Sequence, residues 1–200
     1  MVLIRQRQAD KLRVRAMSDN DETSRKRPNI LVTGTPGSGK TSTASLIAEE
    51  LGLKHINVGE LIKQYKFYDG FDDTLETHIL DEDKLLDLME SMFQECADNN
   101  MGIVADYHSC ELFPERWFDL VLVLRTNTDI LYDRLEKRGY NEKKRSENLE
   151  AEIMQVVLEE ARESYDLEIV HEVPSNTVED MESNVERCRL WIEQWVANNS

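Results

Sequence analysis

The sequence predicts an α/β fold in which helices flank a sheet of five parallel strands. Five short runs are rich in β-branched and apolar residues, and polar and apolar residues do not alternate strictly within them. This pattern indicates strands that are buried on both faces, as in a parallel sheet. Segments with apolar residues at helical spacing lie between the runs, and strands that alternate with helices are typical of a doubly wound sheet.

The predicted strands, in order, are NILVT from Asn29, KHINV from Lys54, GIVAD from Gly102, LVLVL from Leu120 and EIVHEV from Glu168. Helical patterns cover Lys40 to Leu51, Glu82 to Cys96 and, at the end of the chain, Val178 to Trp195. Apolar residues three or four positions apart form a stripe that packs on a core. Because we find no internal repeat or low-complexity linker, we expect one domain over residues 28–200.

Length and composition limit the class of protein. The chain has 200 residues, of which 40% are hydrophobic, enough for one compact domain. It contains no run of about 18 apolar residues, the length that a membrane-spanning helix requires, so we expect no membrane partner. The three cysteines have no metal-type spacing, which argues against a disulfide framework and a zinc site and favours a reducing, intracellular compartment.

Charge is distributed unevenly along the chain. Residues 1–27 contain eight Lys and Arg against four Asp and Glu, whereas the remainder contains sixteen against thirty-six. We expect residues 1–27 to form a disordered basic leader. The acidic remainder would repel nucleic-acid phosphates, so it either suits a basic protein partner or simply keeps the surface solvated.

The first predicted strand runs into a phosphate-binding motif. Gly34 to Thr41 has the sequence GTPGSGKT and satisfies GxxxxGK[ST] between a predicted strand and a predicted helix. Glycines let the backbone N–H groups converge, and the helix N-terminus adds positive potential. We expect Lys40 to bind the β- and γ-phosphates of a nucleoside triphosphate, most often ATP, and Thr41 to offer its hydroxyl to Mg²⁺. The chain has no NKxD-type guanine-binding segment, which makes a GTPase the weaker interpretation.

Asp106 and His108 follow the strand GIVAD, at the sheet edge where ligands bind in such folds. Asp106 can hold magnesium through a water molecule, or it can instead cap the next turn. His108 lies near the γ-phosphate if the strand continues, and otherwise it is a structural histidine.

Arg134 and Arg138 lie four residues apart on one face of a predicted helix. Arginines in this arrangement can bind phosphates bidentately and neutralise the transferring group. The alternative is that each pairs with a nearby acid, such as Asp133 or Glu136.

Two polar segments are candidates for mobile or substrate-binding insertions. Gly139 ends the helix of the two arginines, and the charged residues 137–147 resemble a lid that precedes a long helix from about Glu147. Residues 57–80 are aromatic, acidic and poor in core periodicity, which suits either an acceptor-binding segment or an ordinary surface connection.

These elements, in this order, resemble the P-loop nucleoside monophosphate kinases. The similarity is closest to the adenylate kinase isoenzyme 6 family, whose members are also described as nuclear adenylate kinases or coilin-interacting nuclear ATPases. It rests on segments such as PNILVTGTPGSGKT, INVGELIKQYKFYDGFDD, DYHSCELFPERWFD and LVLRTNTDILYDRLEKRGYNEKK, and it extends over nearly all of Pro28 to Ser200. The resemblance implies a P-loop NTPase fold with an acceptor-binding segment at 57–80 and a lid at 137–147.

The resemblance also implies an activity and a cellular setting. It implies reversible phosphoryl transfer from ATP to AMP, and also to dAMP or CMP, with Mg²⁺ as cofactor and additional ATP hydrolysis. It further implies a location in nucleus and cytoplasm, a basic small-subunit ribosomal protein as partner and a role in 18S rRNA maturation. We expect a monomer or weak homodimer without direct sequence-specific nucleic-acid contacts.

Two alternative functions remain. One is an ATP-switched ribosome assembly factor whose kinase activity is secondary. The other is a small-metabolite kinase on the same fold.

The family pattern assigns site residues to this sequence. The ATP-binding residues implied are Gly37, Gly39, Lys40, Thr41, Ser42, Arg138 and the backbone of Thr177, which would contact the base. The acceptor-binding residues implied are Asn57, Val58, Gly59 and Lys63. The catalytic residues implied are Lys40, Asp106, His108, Arg134 and Arg138. The metal ligands implied are Thr41 and, via water, Asp106.

Two positions depart from general adenylate kinases. Lys63 stands where they carry an arginine, and it lacks the bidentate fork of that side chain. Asp106 leads into YHSC without an arginine, and Arg116 is a candidate substitute.

Overall fold

A computed structural model describes residues 25–72 and 77–199. The seven described strands are β1 (Ile30–Gly34), β2 (Lys54–Asn57), β3 (Tyr68–Asp72), β4 (Thr77–Leu80), β5 (Ile103–Asp106), β6 (Leu120–Arg125) and β7 (Val170–Pro174). The seven described α-helices are α1 (Lys40–Leu51), α2 (Val58–Tyr65), α3 (Glu82–Asp98), α4 (Thr128–Lys137), α5 (Glu142–Ile153), α6 (Val156–Ser164) and α7 (Val178–Asn198). Two short 3₁₀ turns, Cys110–Leu112 and Glu115–Trp117, precede β6.

Five strands form a parallel sheet in the order β2-β5-β1-β6-β7, and β3 and β4 form a separate antiparallel hairpin. β1 lies at the centre between β5 and β6. Every residue of β1 and β5 is buried, which explains why their sequences do not alternate between polar and apolar positions. The predicted five-stranded parallel sheet flanked by helices is therefore confirmed.

Apolar residues fill both faces of the sheet. Leu31 of β1 faces a core formed with α3 and α6, while its neighbours Ile30 and Val32 face a core formed with α1 and α7. This alternation follows from the pleat of a strand. Each fully buried Leu or Ile contributes roughly 1.5–3 kcal/mol relative to an exposed position, so the two cores hold the helices firmly on the sheet.

The carboxyl ends of the parallel strands meet at one edge of the sheet. In the register of the sheet, Asn57 pairs with Asp106, and Asp106 pairs with Val32 two residues before the end of β1. Arg125 at the end of β6 pairs with Pro174 at the end of β7. This edge is where doubly wound sheets bind their ligands.

The lid region differs from its prediction. We expected a polar segment before a helix from about Glu147, but α5 already begins at Glu142, because the Asn141 side chain accepts a hydrogen bond of 2.8 Å from the Lys144 amide. The expected long helix is also broken after Met154 by Gln155, which has a φ of 58°.

Two predicted segments fall wholly or partly outside residues 25–72 and 77–199. Most of the predicted leader, residues 1–27, lies outside the described residues, as do residues 73–76 of the acceptor-binding segment. In the parts that are described, no helix is long and apolar enough to cross a membrane.

Candidate active site

The phosphate loop joins β1 to α1. Gly37 and Gly39 have φ values of 97° and 94°, a left-handed region that favours glycine. Gly39 is the N-cap of α1, and no side chain among residues 25–72 and 77–199 caps this helix with a hydrogen bond. The first turn of α1 has no acidic residue. Its first N–H groups are therefore suited to bind an anion.

Lys40 lies over the backbone of this loop. Its Nζ donates hydrogen bonds to the carbonyl oxygens of Gly34, at 2.7 Å, and Thr35, at 3.1 Å. Burial lowers the pKa of Lys40 to about 8, an effect that the carboxylate of Asp106 opposes and the charge of Arg138 reinforces. Bound phosphate would favour the charged form of Lys40 and raise this pKa.

Asp106 lies at the centre of a polar cluster beside the loop. Its side chain accepts a hydrogen bond of 2.8 Å from the Thr41 hydroxyl, and its other oxygen lies 2.7 Å from His55 Nε2. The Asn57 amide lies 3.2 Å from Thr41 Oγ1. The carboxylate thus faces the phosphate loop, and its role as a magnesium ligand stays a prediction. Hydroxyl and carboxylate oxygens are ligands that Mg²⁺ prefers, so Thr41 and Asp106 fit this cofactor.

His55 was not among the residues predicted from the sequence. It precedes Asn57 by two positions on β2, and residues two apart on a strand point to the same side of the sheet. That alternation is the signal that relates His55 to a residue that the family pattern does assign.

His108 is exposed beyond the end of β5, with its ring centroid 4.5 Å from that of Tyr107. The pKa of His108 is lowered by desolvation and by the positive charges of Lys40 and Lys144. The imidazole therefore lies near both the phosphate loop and α5, and it is neutral near pH 7.

The two arginines of α4 have different surroundings. Arg134 donates from Nη1 to the Ser175 carbonyl and from Nη2 to the Asn176 carbonyl, each at 2.8 Å. Its observed role is to hold the segment that follows β7, and its catalytic role stays a prediction. Arg138 is exposed, and its charge helps to lower the pKa of Lys40 and of Arg134.

Thr177 is engaged in capping α7. Its N–H lies 3.2 Å from Asp180 Oδ2, and its hydroxyl accepts a hydrogen bond of 3.1 Å from the Asp180 amide. The Thr177 carbonyl oxygen also accepts a hydrogen bond of 3.3 Å from the Met181 amide, so the predicted contact of this backbone with the base would have to use its second lone pair.

The residues predicted to bind the acceptor separate into those near the phosphate loop and those that are not. Asn57 contacts Thr41 and also caps α2, where its Oδ1 accepts a hydrogen bond of 2.8 Å from the Glu60 amide. Val58 is fully buried in the core, so any substrate contact would come from its backbone. Lys63 is exposed and pairs with Glu60 at 2.9 Å, which raises the pKa of Lys63.

Gly59 and Arg116 complete the family-derived positions. A Cβ at Gly59 would lie 3.4 Å from Asn57 Oδ1. Arg116, the candidate substitute for the missing arginine, pairs with Glu90 of α3 at 3.1 Å.

A second group that the sequence analysis missed lies on the other side of the loop. Glu152 of α5 is 4% exposed and accepts hydrogen bonds from the Thr35 hydroxyl and from Arg125. Ser175 donates a hydrogen bond of 2.6 Å to the Ser38 carbonyl. These contacts connect residues far apart in the chain, and no local pattern indicates them.

The chain is similar to several known proteins. A family model described as an AAA domain matches residues 30–155. The chain is 51% identical over 176 residues to an adenylate kinase isoenzyme 6 homolog of Dictyostelium discoideum, covering 88% of this chain and 98% of that protein. It is 52% identical over 168 residues to an adenylate kinase isoenzyme 6 homolog of Caenorhabditis elegans, covering 84% and 91%. A solved gluconokinase from Sinorhizobium meliloti 1021 shares the fold, with a TM-score of 0.50, 18% identity, and 88% and 99% of the two chains covered.

Proposed function

The chain belongs to the adenylate kinase isoenzyme 6 family of nucleotide kinases, and from this premise we propose that it transfers the γ-phosphoryl group of ATP reversibly to AMP, dAMP or CMP. One observation carries the proposal. The Asn57 amide, in the first residue of the acceptor-binding segment, lies 3.2 Å from Thr41 Oγ1 in the phosphate loop. The residues predicted to bind the donor and the acceptor therefore lie within hydrogen-bonding reach of each other, which supports a site for two substrates.

The proposed chemistry needs little from the protein beyond position and charge. The phosphate of AMP is already an anion, so its oxygen forms the new bond to the γ-phosphorus as the bond to the β-phosphate oxygen breaks, which leaves two ADP molecules. Lys40 neutralises charge on the transferring group. When bound, Mg²⁺ would be held by Thr41 and Asp106 and would add further positive charge. Arg138 would join as residues 137–147 close and exclude water.

A panel of acceptors tests this proposal. ATP is incubated with AMP, dAMP, CMP and a set of small metabolites, and diphosphate formation is followed by anion-exchange chromatography. We expect ADP from AMP, and the corresponding diphosphates from dAMP and CMP. ATP binding without any nucleoside diphosphate product would overturn the acceptor assignment and favour a small-metabolite kinase.

We also propose a slower ATP hydrolysis that depends on His108. Water is a poor nucleophile, and neutral His108, near Lys40, is available to accept its proton as oxygen attacks the γ-phosphorus and ADP leaves. Lys40→Met is expected to abolish both reactions, whereas His108→Gly is expected to reduce phosphate release more than AMP-dependent ADP formation. Equal losses of the two activities in His108→Gly would remove the distinction.

The second candidate function is an ATP-switched factor in small-subunit ribosome assembly and 18S rRNA maturation, acting in nucleus and cytoplasm. The acidic remainder of the chain favours a basic protein client. Four carboxylates on one exposed face of α3 support this surface, of which Glu90 pairs with Arg116: Asp87, Glu90, Glu95 and Asp98. A pull-down with a basic small-subunit ribosomal protein, with and without ATP, tests the idea, and binding that ignores ATP would argue against a switch. We propose a monomer or weak homodimer, which sedimentation measures.

A further inference from the structure

A buried carboxylate connects α5, whose first residues belong to the proposed lid, with the phosphate loop. Glu152 Oε1 accepts hydrogen bonds from Arg125 Nε, at 2.8 Å, and from the Thr126 amide, at 3.0 Å. Its Oε2 accepts a hydrogen bond from the Thr35 hydroxyl, 117 residues earlier in the chain. The Glu152 carbonyl accepts a further bond of 3.0 Å from Arg125 Nη2. With this many donors, the desolvation of the carboxylate is compensated.

Thr35 is itself part of the phosphate loop, so its hydrogen bond with Glu152 bears directly on the conformation of the loop. Thr35 is 1% exposed, so its side chain has no alternative partner in water. Its carbonyl oxygen accepts hydrogen bonds from Lys40 Nζ, at 3.1 Å, and from the Ser38 amide, at 3.0 Å. The orientation of the Thr35 peptide therefore affects both the position of the lysine and the turn that follows.

The helix that carries Glu152 has two backbone positions suited to bending. Gly139 precedes α5 and has a φ of 74°, and a Cβ added at this position would meet no atom from elsewhere in the described structure within 4 Å. Gln155 follows α5 with a φ of 58°. Between these positions Lys144 Nζ lies 4.6 Å from the centre of the Tyr140 ring, and its charge contributes to lowering the pKa of His108. Glu152 fixes the C-terminal end of α5, whereas Arg145 near its N-terminal end contacts Glu136 and Tyr132 of α4.

We propose that Glu152 is a positioning residue that fixes the end of the lid helix α5 and, through Thr35, orients the phosphate loop for ATP. The link acts in both directions, because a coupling between two elements is reciprocal. ATP in the loop then restricts α5, and displacement of α5 loosens the loop. The inference deepens the proposed function and rests on it only in taking ATP as the ligand of the loop.

Three variants and one matched control separate this role from a purely structural ion pair. Glu152→Gln removes the charge, Thr35→Val removes only the hydroxyl, and Thr35→Ser retains it. Glu150→Gln, on the same helix at an exposed position, makes the same chemical change away from the link. The valine variant is nearly isosteric, so it keeps the test available if Glu152→Gln fails to fold.

Affinity and kinetics provide the first measurements. A charge-assisted hydrogen bond that orients the loop predicts a rise of about tenfold or more in the Kd for ATP, measured by calorimetry without acceptor, in Glu152→Gln and Thr35→Val. The KM for ATP should rise in parallel, while the KM for AMP should stay within about threefold, since only the donor loop is disturbed. Thr35→Ser should recover most of the affinity lost in Thr35→Val. If the double variant of Glu152→Gln and Thr35→Val bound ATP no more weakly than the single variant of lower affinity, the two residues would act through one shared contact.

Amide hydrogen exchange provides a measurement that does not depend on activity. We expect Thr35→Val to increase exchange in the last turn of α5, and Glu152→Gln to increase exchange in residues 34–38. The inference would be overturned if Glu152→Gln and Thr35→Val had the same Kd for ATP, the same KM for ATP and the same exchange rates as Glu150→Gln. This holds even if the two variants were less stable. If the unaltered protein bound no ATP, the proposed function would fail, whereas the exchange experiment would still decide whether the link exists.

Discussion

The lowered pKa of Lys40 predicts that ATP binding weakens between neutral and alkaline pH. With a pKa of about 8 in the nucleotide-free protein, Lys40 is protonated in most molecules at about pH 7, in half at about pH 8 and in roughly a tenth at about pH 9. If only the ammonium form binds phosphate, the apparent Kd for ATP rises about tenfold from pH 7 to pH 9. The direction follows because deprotonation removes the positive charge that attracts the nucleotide.

Calorimetric titration with a non-hydrolysable ATP analogue, at several pH values, measures this effect. Other groups interfere little, because a terminal phosphate with a second pKa of about 6 is already roughly nine-tenths doubly ionised at about pH 7. Burial also raises the pKa of all three cysteines, Cys188 to about 12. Lys40→Arg is the matched control, since a guanidinium keeps its charge throughout this range. A flat profile in the unaltered protein, or the same rise in Lys40→Arg, would refute the reasoning.

Three further substitutions test the architecture of the site. Gly37→Ala would place a Cβ 2.8 Å from a leucine methyl of α4 at a φ of 97°, so the free energy of unfolding in urea should fall by about 1–3 kcal/mol; an unchanged midpoint would contradict this. Arg134→Lys loses the bidentate contact with two carbonyls, and the KM for ATP should rise several-fold with little change in kcat, whereas Arg189→Lys at a surface ion pair should change neither. His55→Ala removes a hydrogen bond to Asp106, and we expect a drop of about tenfold or more in kcat or in apparent Mg²⁺ affinity. Normal values of both would show that the contact is dispensable.

Elements whose signals lie close together in the chain could be predicted. The five strands of the parallel sheet and the helices α1, α3 and α7 follow from hydrophobic pattern, whereas the hairpin of β3 and β4 was not predicted. The phosphate loop follows from a motif in which strand, glycines and helix are adjacent. The lid region was predicted less well. Asn141 before Glu142 is a local signal for a helix start, but it lies in a highly charged segment with little apolar periodicity, which made that segment resemble a loop.

The sequence by itself determined the fold class and the main anion-binding element, because both depend on short-range periodicity and on backbone freedom at glycine. Tertiary structure alone decided which polar side chains share the site. Arg134 and Arg138 are alike in the sequence, yet one binds the carbonyls after β7 while the other is exposed near Lys40. Glu152 belongs to a charged helix, and only the packing of α5 against the ends of β1 and β6 brings its carboxylate to Thr35. Hydrogen bonds between residues far apart in the chain depend on how the helices pack on the sheet. The local amino-acid composition does not predict that packing.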